Sequence, residues 1–250
     1  MVEPFEPRVA LASLSGEADA EWARNAADHA GAAFLGGIAL DEETRAAARK
    51  LVARERTEFL PDDPVAFVDG QLAALSDSPI RPGINVRSAT LPPIRAMGDV
   101  CHRHGAILEL NAHCRQEEMC AAGAGQSLLR DPDRLAEQVR VAAETGAAVS
   151  VKVRAEVPGV NLPEVARKVV DAGADIVHLD AMDSERMVQV VAEATDCFLV
   201  ANNGVRDEAT VAEYLEYGAD AVSVGRPSDR PEVLSRVRRA TDAWFTEVVA

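Results

Sequence analysis

Two periodicities alternate along the chain. Short apolar runs rich in Val, Ile, Leu and Ala occupy residues 9–14, 32–38, 83–87, 106–111, 148–154, 174–179, 197–202 and 219–224. Most lack a polar face, the pattern of parallel strands with helices on one side and core on the other. Between them, stretches with helical spacing lie at 19–29, 42–58, 93–104, 132–144, 162–172, 184–194, 208–217 and 230–248. "AGADI" at 172–176 and "YGADAV" at 217–222 repeat one device: a helix stops at glycine and a short turn feeds the next strand.

Eight strand–helix units in 250 residues, without a break in composition, predict a single-domain (β/α)8 TIM barrel. The stretch 45–80 is longer than one crossover needs, so it predicts an extra helix or a lid, with "FLPDDPVAF" as a loop. Residues 228–250 have room for a closing helix only.

Composition refines this reading. Hydrophobic residues make up 48% but aromatics only 4%, so the core is built from Ala, Val, Leu and Ile. No apolar run approaches the roughly 20 residues that cross a bilayer. The opening "MVEPFEPRVALASL" has acids where a secretion signal has a basic flank. A soluble, cytoplasmic protein without a membrane partner is expected. Cys101, Cys114, Cys120 and Cys197 form no CxxC pair and no disulfide framework, which fits a reducing compartment. His113 adjoins Cys114, but no second Cys/His pair stands at zinc-ligand spacing, so no metal is expected. The sequence does not fix an oligomeric state.

The formal charge is −15, with acids spread along the chain and only three lysines, Lys50, Lys152 and Lys168. This balance is read as halophilic, an adaptation to a salt-rich interior where screening removes self-repulsion. It also makes a lysine inside a strand conspicuous.

Reactive groups in such barrels sit where strands deliver their C-terminal ends. Those ends carry Asn85; Asn111, His113 and Cys114; Lys152 and Arg154; His178 and Asp180; Asn202, Asn203 and Gly204; and Gly225 and Arg226. "ANNG" followed by "VSVGRP" fits a phosphate site after strands seven and eight, where glycines let backbone N–H groups approach anionic oxygens. Lys152 in "VSVKVR" either meets an anion or an electron-rich acceptor, or reaches solvent at the strand tip. His178 is either a site residue or a satisfied core histidine, and Cys114 either an acid or a small buried hydrophobe.

Taken in order, "LELNAHCRQEEMCAAGAGQSLLRDP", "VSVKVR", "GADIVHL", "LVANNGV" and "GADAVSVGRP" resemble the tRNA-dihydrouridine synthase family, from about residue 9 to 227. That resemblance implies an FMN-dependent oxidoreductase that reduces the C5=C6 bond of uridine in tRNA, with NAD(P)H as electron source. It implies that Cys114 donates the proton, with His113 as the rival acid, and that Asn111 contacts substrate or flavin edge. Asn85, Lys152 and His178 would hold the isoalloxazine, and Asn203, Gly204, Gly225 and Arg226 the FMN phosphate. Gly123 and Gly125 would turn the loop that carries Cys114, while Cys120 is structural.

The chain departs from the family at His113-Cys114-Arg115, where Gly-Cys-Pro is usual, and at the acidic "QEE" that follows. Net negative charge disfavours general RNA binding; Arg226, Arg230, Arg236, Arg238 and Arg239 form a local basic group. Two alternatives stand beside this reading. One is a flavin oxidoreductase acting on a free small molecule such as a pyrimidine. The other is a non-redox TIM barrel that binds a phosphorylated metabolite.

The charge balance makes one prediction. The unfolding midpoint should rise as KCl is raised toward molar concentrations, measured by thermal melts; equal stability in dilute buffer would remove the halophilic reading.

Overall fold

The structure, a computed structural model, describes residues 5–248. Its strands are β1 (Val9–Leu11), β2 (Ala32–Ala39), β3 (Arg81–Arg87), β4 (Ile107–Asn111), β5 (Ala148–Arg154), β6 (Ile176–Asp180), β7 (Phe198–Asn202) and β8 (Ala221–Val224). Each pairs in parallel with the next, and β8 returns to β1, so the predicted (β/α)8 barrel is closed. The helices are α1 (Ala20–Asn25), α2 (Glu42–Val52), α3 (Pro64–Ala73), α4 (Leu91–Arg103), α5 (Glu117–Ala121), α6 (Pro132–Ala143), α7 (Leu162–Asp171), α8 (Met187–Ala192), α9 (Glu208–Glu216) and α10 (Pro231–Val248). No helix among the described residues is long and apolar enough to cross a membrane.

Strand alternation sorts side chains into two cores. Leu108, Leu110, Val149, Val151, Val177, Leu179, Val222 and Val224 point outward and join the helices in the larger apolar cluster. The inward set is layered. Ala10, Ala32, Phe34, Ile107, Ile176, Val200 and Ala221 form a separate apolar plug at the N-terminal end, closed by Phe5 against Phe198 with ring centroids 5.4 Å apart. One pleat further along, the inward positions become polar: Asn85, Glu109, Ser150, His178 and Ser223, all buried. Another pleat on, Asn111, Lys152, Asp180 and Asn202 reach the C-terminal mouth.

Acid and amide caps start most of the helices. Asp19, Asp41, Asp63, Asp131, Asn161 and Asp207 each accept a backbone N–H from the first turn of the helix that follows. One of these caps and one helix end correct the sequence reading. The segment 59–67 is not wholly a loop, because Asp63 and Pro64 begin α3, the extra helix of the long second crossover. The helix expected over 42–58 stops at Val52; Glu55 has a left-handed φ of 62°, and the chain turns toward the mouth. The short α5 and a 3-10 turn, Gly125–Arg130, fill the loop after β4. The helix expected over 184–194 narrows to Met187–Ala192, and that over 19–29 to Ala20–Asn25.

Phe34 is the largest side chain of the plug. Its ring occupies the space left by Gly83, where an added Cβ would lie 2.6 Å from Cδ1. Phe34→Ala should therefore cost about 3–5 kcal/mol of stability by opening a cavity beneath the polar layer. Urea denaturation checks this; a loss below about 1 kcal/mol would mean the plug recloses around the gap.

Candidate functional site

The floor of the mouth is a closed polar network around Glu109, which has no solvent exposure. One carboxylate oxygen accepts from Asn85 Nδ2 at 2.7 Å. The other accepts from Ser150 Oγ at 3.0 Å and meets His178 Nδ1 at 2.7 Å. His178 Nε2 lies 2.8 Å from Ser223 Oγ, and Phe34 packs on the ring at 5.1 Å. Asn111 Nδ2 donates to Asn85 Oδ1 at 2.9 Å. Asn85 and His178 are thus fully buried beneath the mouth, with their polar atoms engaged within the barrel. Burial, followed by the positive charge of Lys152, holds the His178 ring below the ordinary histidine value against the opposing pull of Glu109. Burial alone would raise Glu109; the His178 and Lys152 charges and its hydrogen bonds outweigh this and hold it below the usual range.

Above this floor opens a cavity of about 840 Å³, lined by residues from the β1, β4, β5, β6, β7 and β8 ends and by Glu55, Arg56 and Thr57. His113, Lys152, Asn203, Gly204, Gly225 and Arg226 all line it, so the structure brings these six together. Lys152 is 3% exposed, and among the described residues its ammonium makes no hydrogen bond or close ion pair. Burial lowers its pKa, opposed through space by Glu109 and Asp180. His113 Nε2 makes a short contact with Asp180 Oδ2, while Asp180 Oδ1 accepts the Met182 N–H at 3.1 Å. Desolvation is the leading cause that holds His113 below its ordinary value, against the opposing pull of Asp180, and it favours the neutral ring, the form able to accept a proton.

The β7 and β8 ends shape one wall. Asn203 adopts φ 103° and Gly204 φ 66°, and Asn203 is pinned by Nδ2 donating to Met182 O at 2.6 Å and by the Tyr214 hydroxyl on its carbonyl at 2.9 Å. Successive backbone units in such conformations turn their N–H groups into a concavity suited to an anion. Arg226, Arg206 and Arg56 add cationic groups to the same cavity. The segment carrying Arg56 is tied down by Glu58, whose Oε2 accepts from Arg87 Nη1 at 2.6 Å with both side chains buried.

Asn111 and Cys114 lie differently. Asn111 is not a lining residue; its Oδ1 accepts the N–H groups of His113 at 3.1 Å and Cys114 at 2.8 Å. That turn delivers His113 to the cavity and sends Cys114 away from it. The Cys114 side chain packs instead on the apolar cluster of Ala39, Ala48, Leu51 and Met119. The glycine pair has a steric reason: Gly125 has φ 64°, and a Cβ there would lie 2.3 Å from the Cys114 carbonyl oxygen. That carbonyl accepts from Gln126 N at 2.8 Å and from Cys120 Sγ at 3.5 Å.

Sequence reasoning passed over Glu109, the centre of the floor, and the Glu58–Arg87 pair. The Glu109 signal was available: "LELN" puts an acid at an inward strand position, as "VSVKVR" does a lysine. Among the described residues no group of three or more His, Cys, Asp or Glu side chains is placed to hold a metal ion.

Comparison with known proteins corrects the functional expectation. A model of the quinolinate phosphoribosyl transferase C-terminal domain matches residues 133–234. An uncharacterised protein of Methanocaldococcus jannaschii, MJ0144, is 27% identical over 232 residues, which is 89% of each chain. A chain of the Pyrococcus furiosus tryptophan synthase complex superposes with a TM-score of 0.59 at 14% identity, covering 98% of this chain and 97% of that one. Thiamine phosphate pyrophosphorylase from Pyrococcus furiosus gives 0.55 at 12%, covering 97% of each. FabK from Thermotoga maritima gives 0.56 at 15%; this chain spans only 58% of its length. These structures share the fold. The transferase-domain match covers four of the five clusters, from "VSVKVR" to "VSVGRP", on which the likeness to the dihydrouridine synthases rested. That likeness is therefore withdrawn, and with it the flavin oxidoreductase activity, FMN, NAD(P)H and tRNA processing that it implied.

The buried His178 ring and the half-buried His113 ring make stability depend on pH. A histidine whose folded pKa is depressed binds its proton more readily when unfolded, so its contribution is complete above about 6.5 and lost as pH falls below that. The urea midpoint should accordingly drop between pH 7 and pH 5, before the carboxylates titrate. A midpoint constant over that window would show that His113 and His178 titrate as in an unfolded chain.

Proposed function

We propose that the chain is a non-redox enzyme that binds a phosphorylated small molecule in the barrel mouth. Its phosphate group sits against the β7 and β8 ends, where Asn203 and Gly204 offer backbone N–H groups and Arg226 a guanidinium. The observation that carries this reading is the coincidence of two facts: residues 133–234 match a phosphoribosyl transferase domain, and the same stretch supplies that wall of the cavity. Four cations, Lys152, Arg56, Arg206 and Arg226, outnumber the three acids of the same lining, Glu17, Glu55 and Asp180, and support an anionic guest in a chain that is otherwise strongly acidic. His113, oriented by Asp180 and kept neutral by burial, is the proton acceptor of the reaction.

Titration calorimetry with inorganic phosphate and glycerol 3-phosphate tests the reading. Both should bind, and Arg226→Ala should weaken binding about tenfold, or ~1.4 kcal/mol. Absence of binding by either ligand to the intact chain would overturn it.

A further inference from the structure

Lys152 lies on the floor of the same cavity, apart from the β7 and β8 wall against which the phosphate is placed, and its position is unusual. It is the lone lysine within a strand, in a chain with three lysines in all. Strand pairing sets it between Asn111 and His178, and its side chain emerges on the cavity floor with 3% exposure. A structural lysine at such depth takes a carboxylate as a direct partner. Here the two nearby acids are already occupied. Glu109 is saturated by Asn85, Ser150 and His178, and Asp180 is held by His113 and the Met182 N–H. The amine therefore faces the cavity without a partner among the described residues, beside a neutral imidazole that can move protons.

We propose that Lys152 is a nucleophile that forms an imine with the carbonyl group of the substrate, which defines the substrate class as a short phosphorylated aldehyde or ketone. This inference rests on the phosphate-binding reading above. Burial favours the step, because it lowers the pKa of the amine and so raises the fraction of neutral nitrogen. The neutral Nζ attacks the carbonyl carbon, and the π electron pair moves to oxygen, which takes a proton from solvent water in the open mouth, the proton that the final imine retains. Nitrogen loses a proton to His113, the carbinolamine oxygen takes it up and leaves as water, and a C=N bond remains. No oxidation or reduction occurs. The protonated imine then draws electrons from an adjacent C–H or C–C bond, which makes the reaction an isomerisation or a carbon–carbon cleavage of the aldol type.

The test is borohydride trapping read by intact mass and peptide mapping. The chain is incubated with dihydroxyacetone phosphate or glyceraldehyde 3-phosphate, then with sodium borohydride, which reduces an imine to a stable secondary amine. A single adduct per chain on Lys152, suppressed by excess inorganic phosphate, is expected. It should persist in the Lys50→Arg, Lys168→Arg double variant, in which Lys152 is the sole lysine. If glycerol 3-phosphate binds by calorimetry but neither carbonyl compound labels Lys152, the imine is overturned and the phosphate reading stands. If Lys152 is labelled equally by unphosphorylated glyceraldehyde and phosphate gives no protection, the nucleophile is upheld and the phosphate reading falls. Adducts confined to Lys50 and Lys168 overturn the imine.

Discussion

A single carboxylate in the middle of the barrel sets the arrangement of everything above it. Glu109 sits where water cannot reach, and an unpaired charge there would be prohibitive. It is tolerated because β3, β5 and β6 each contribute a partner, Asn85, Ser150 and His178, and because Lys152 lends opposite charge through space. Those partners are oriented in turn. Asn85 accepts from Asn111, and His178 is fixed between Glu109 and Ser223 of β8. The result is a rigid polar disc that spans most of the barrel's circumference and rests on the Phe34 plug.

From that disc the mouth inherits its geometry. Asn111, bonded below to Asn85, uses its amide oxygen to shape the following turn, so the direction of His113 is decided by a chain of hydrogen bonds that starts at Glu109. Asp180 continues β6 one pleat beyond His178 and meets His113 from the other side. The β7 and β8 ends add the wall against which the proposed phosphate sits. His113, the Lys152 amine and that wall of N–H and guanidinium groups face one cavity.

Much of this was legible in the amino-acid order. Strands apolar on both faces, helical spacing between them and glycine stops pointed to the barrel directly, because those signals are local. Lys152 and the Asn203–Gly204 and Gly225–Arg226 pairs could be placed at the mouth once the strand ends were assigned. Glu109 was hidden in plain view, since its strand was read for its tip and not for its alternation. The direction of Cys114 was not readable at all. It depends on two hydrogen bonds to Asn111 and on how closely Gly125 approaches a carbonyl, and neither leaves a periodic trace. The likeness to the reductases failed for a related reason. Polar residues at consecutive strand ends belong to barrels of many chemistries, so short clusters in the right order specify the architecture and leave the reaction open.

The wall formed by Glu55, Arg56 and Thr57 is anchored differently from the surface around it. Most ion pairs among the described residues have at least one exposed partner and share their surroundings with dissolved ions. The Glu58–Arg87 pair, with side-chain exposures of 1% and 4%, is sealed from them. The exterior pairs are thus open to the ionic strength around them, whereas this rivet beside the aperture keeps its Coulomb attraction largely unscreened.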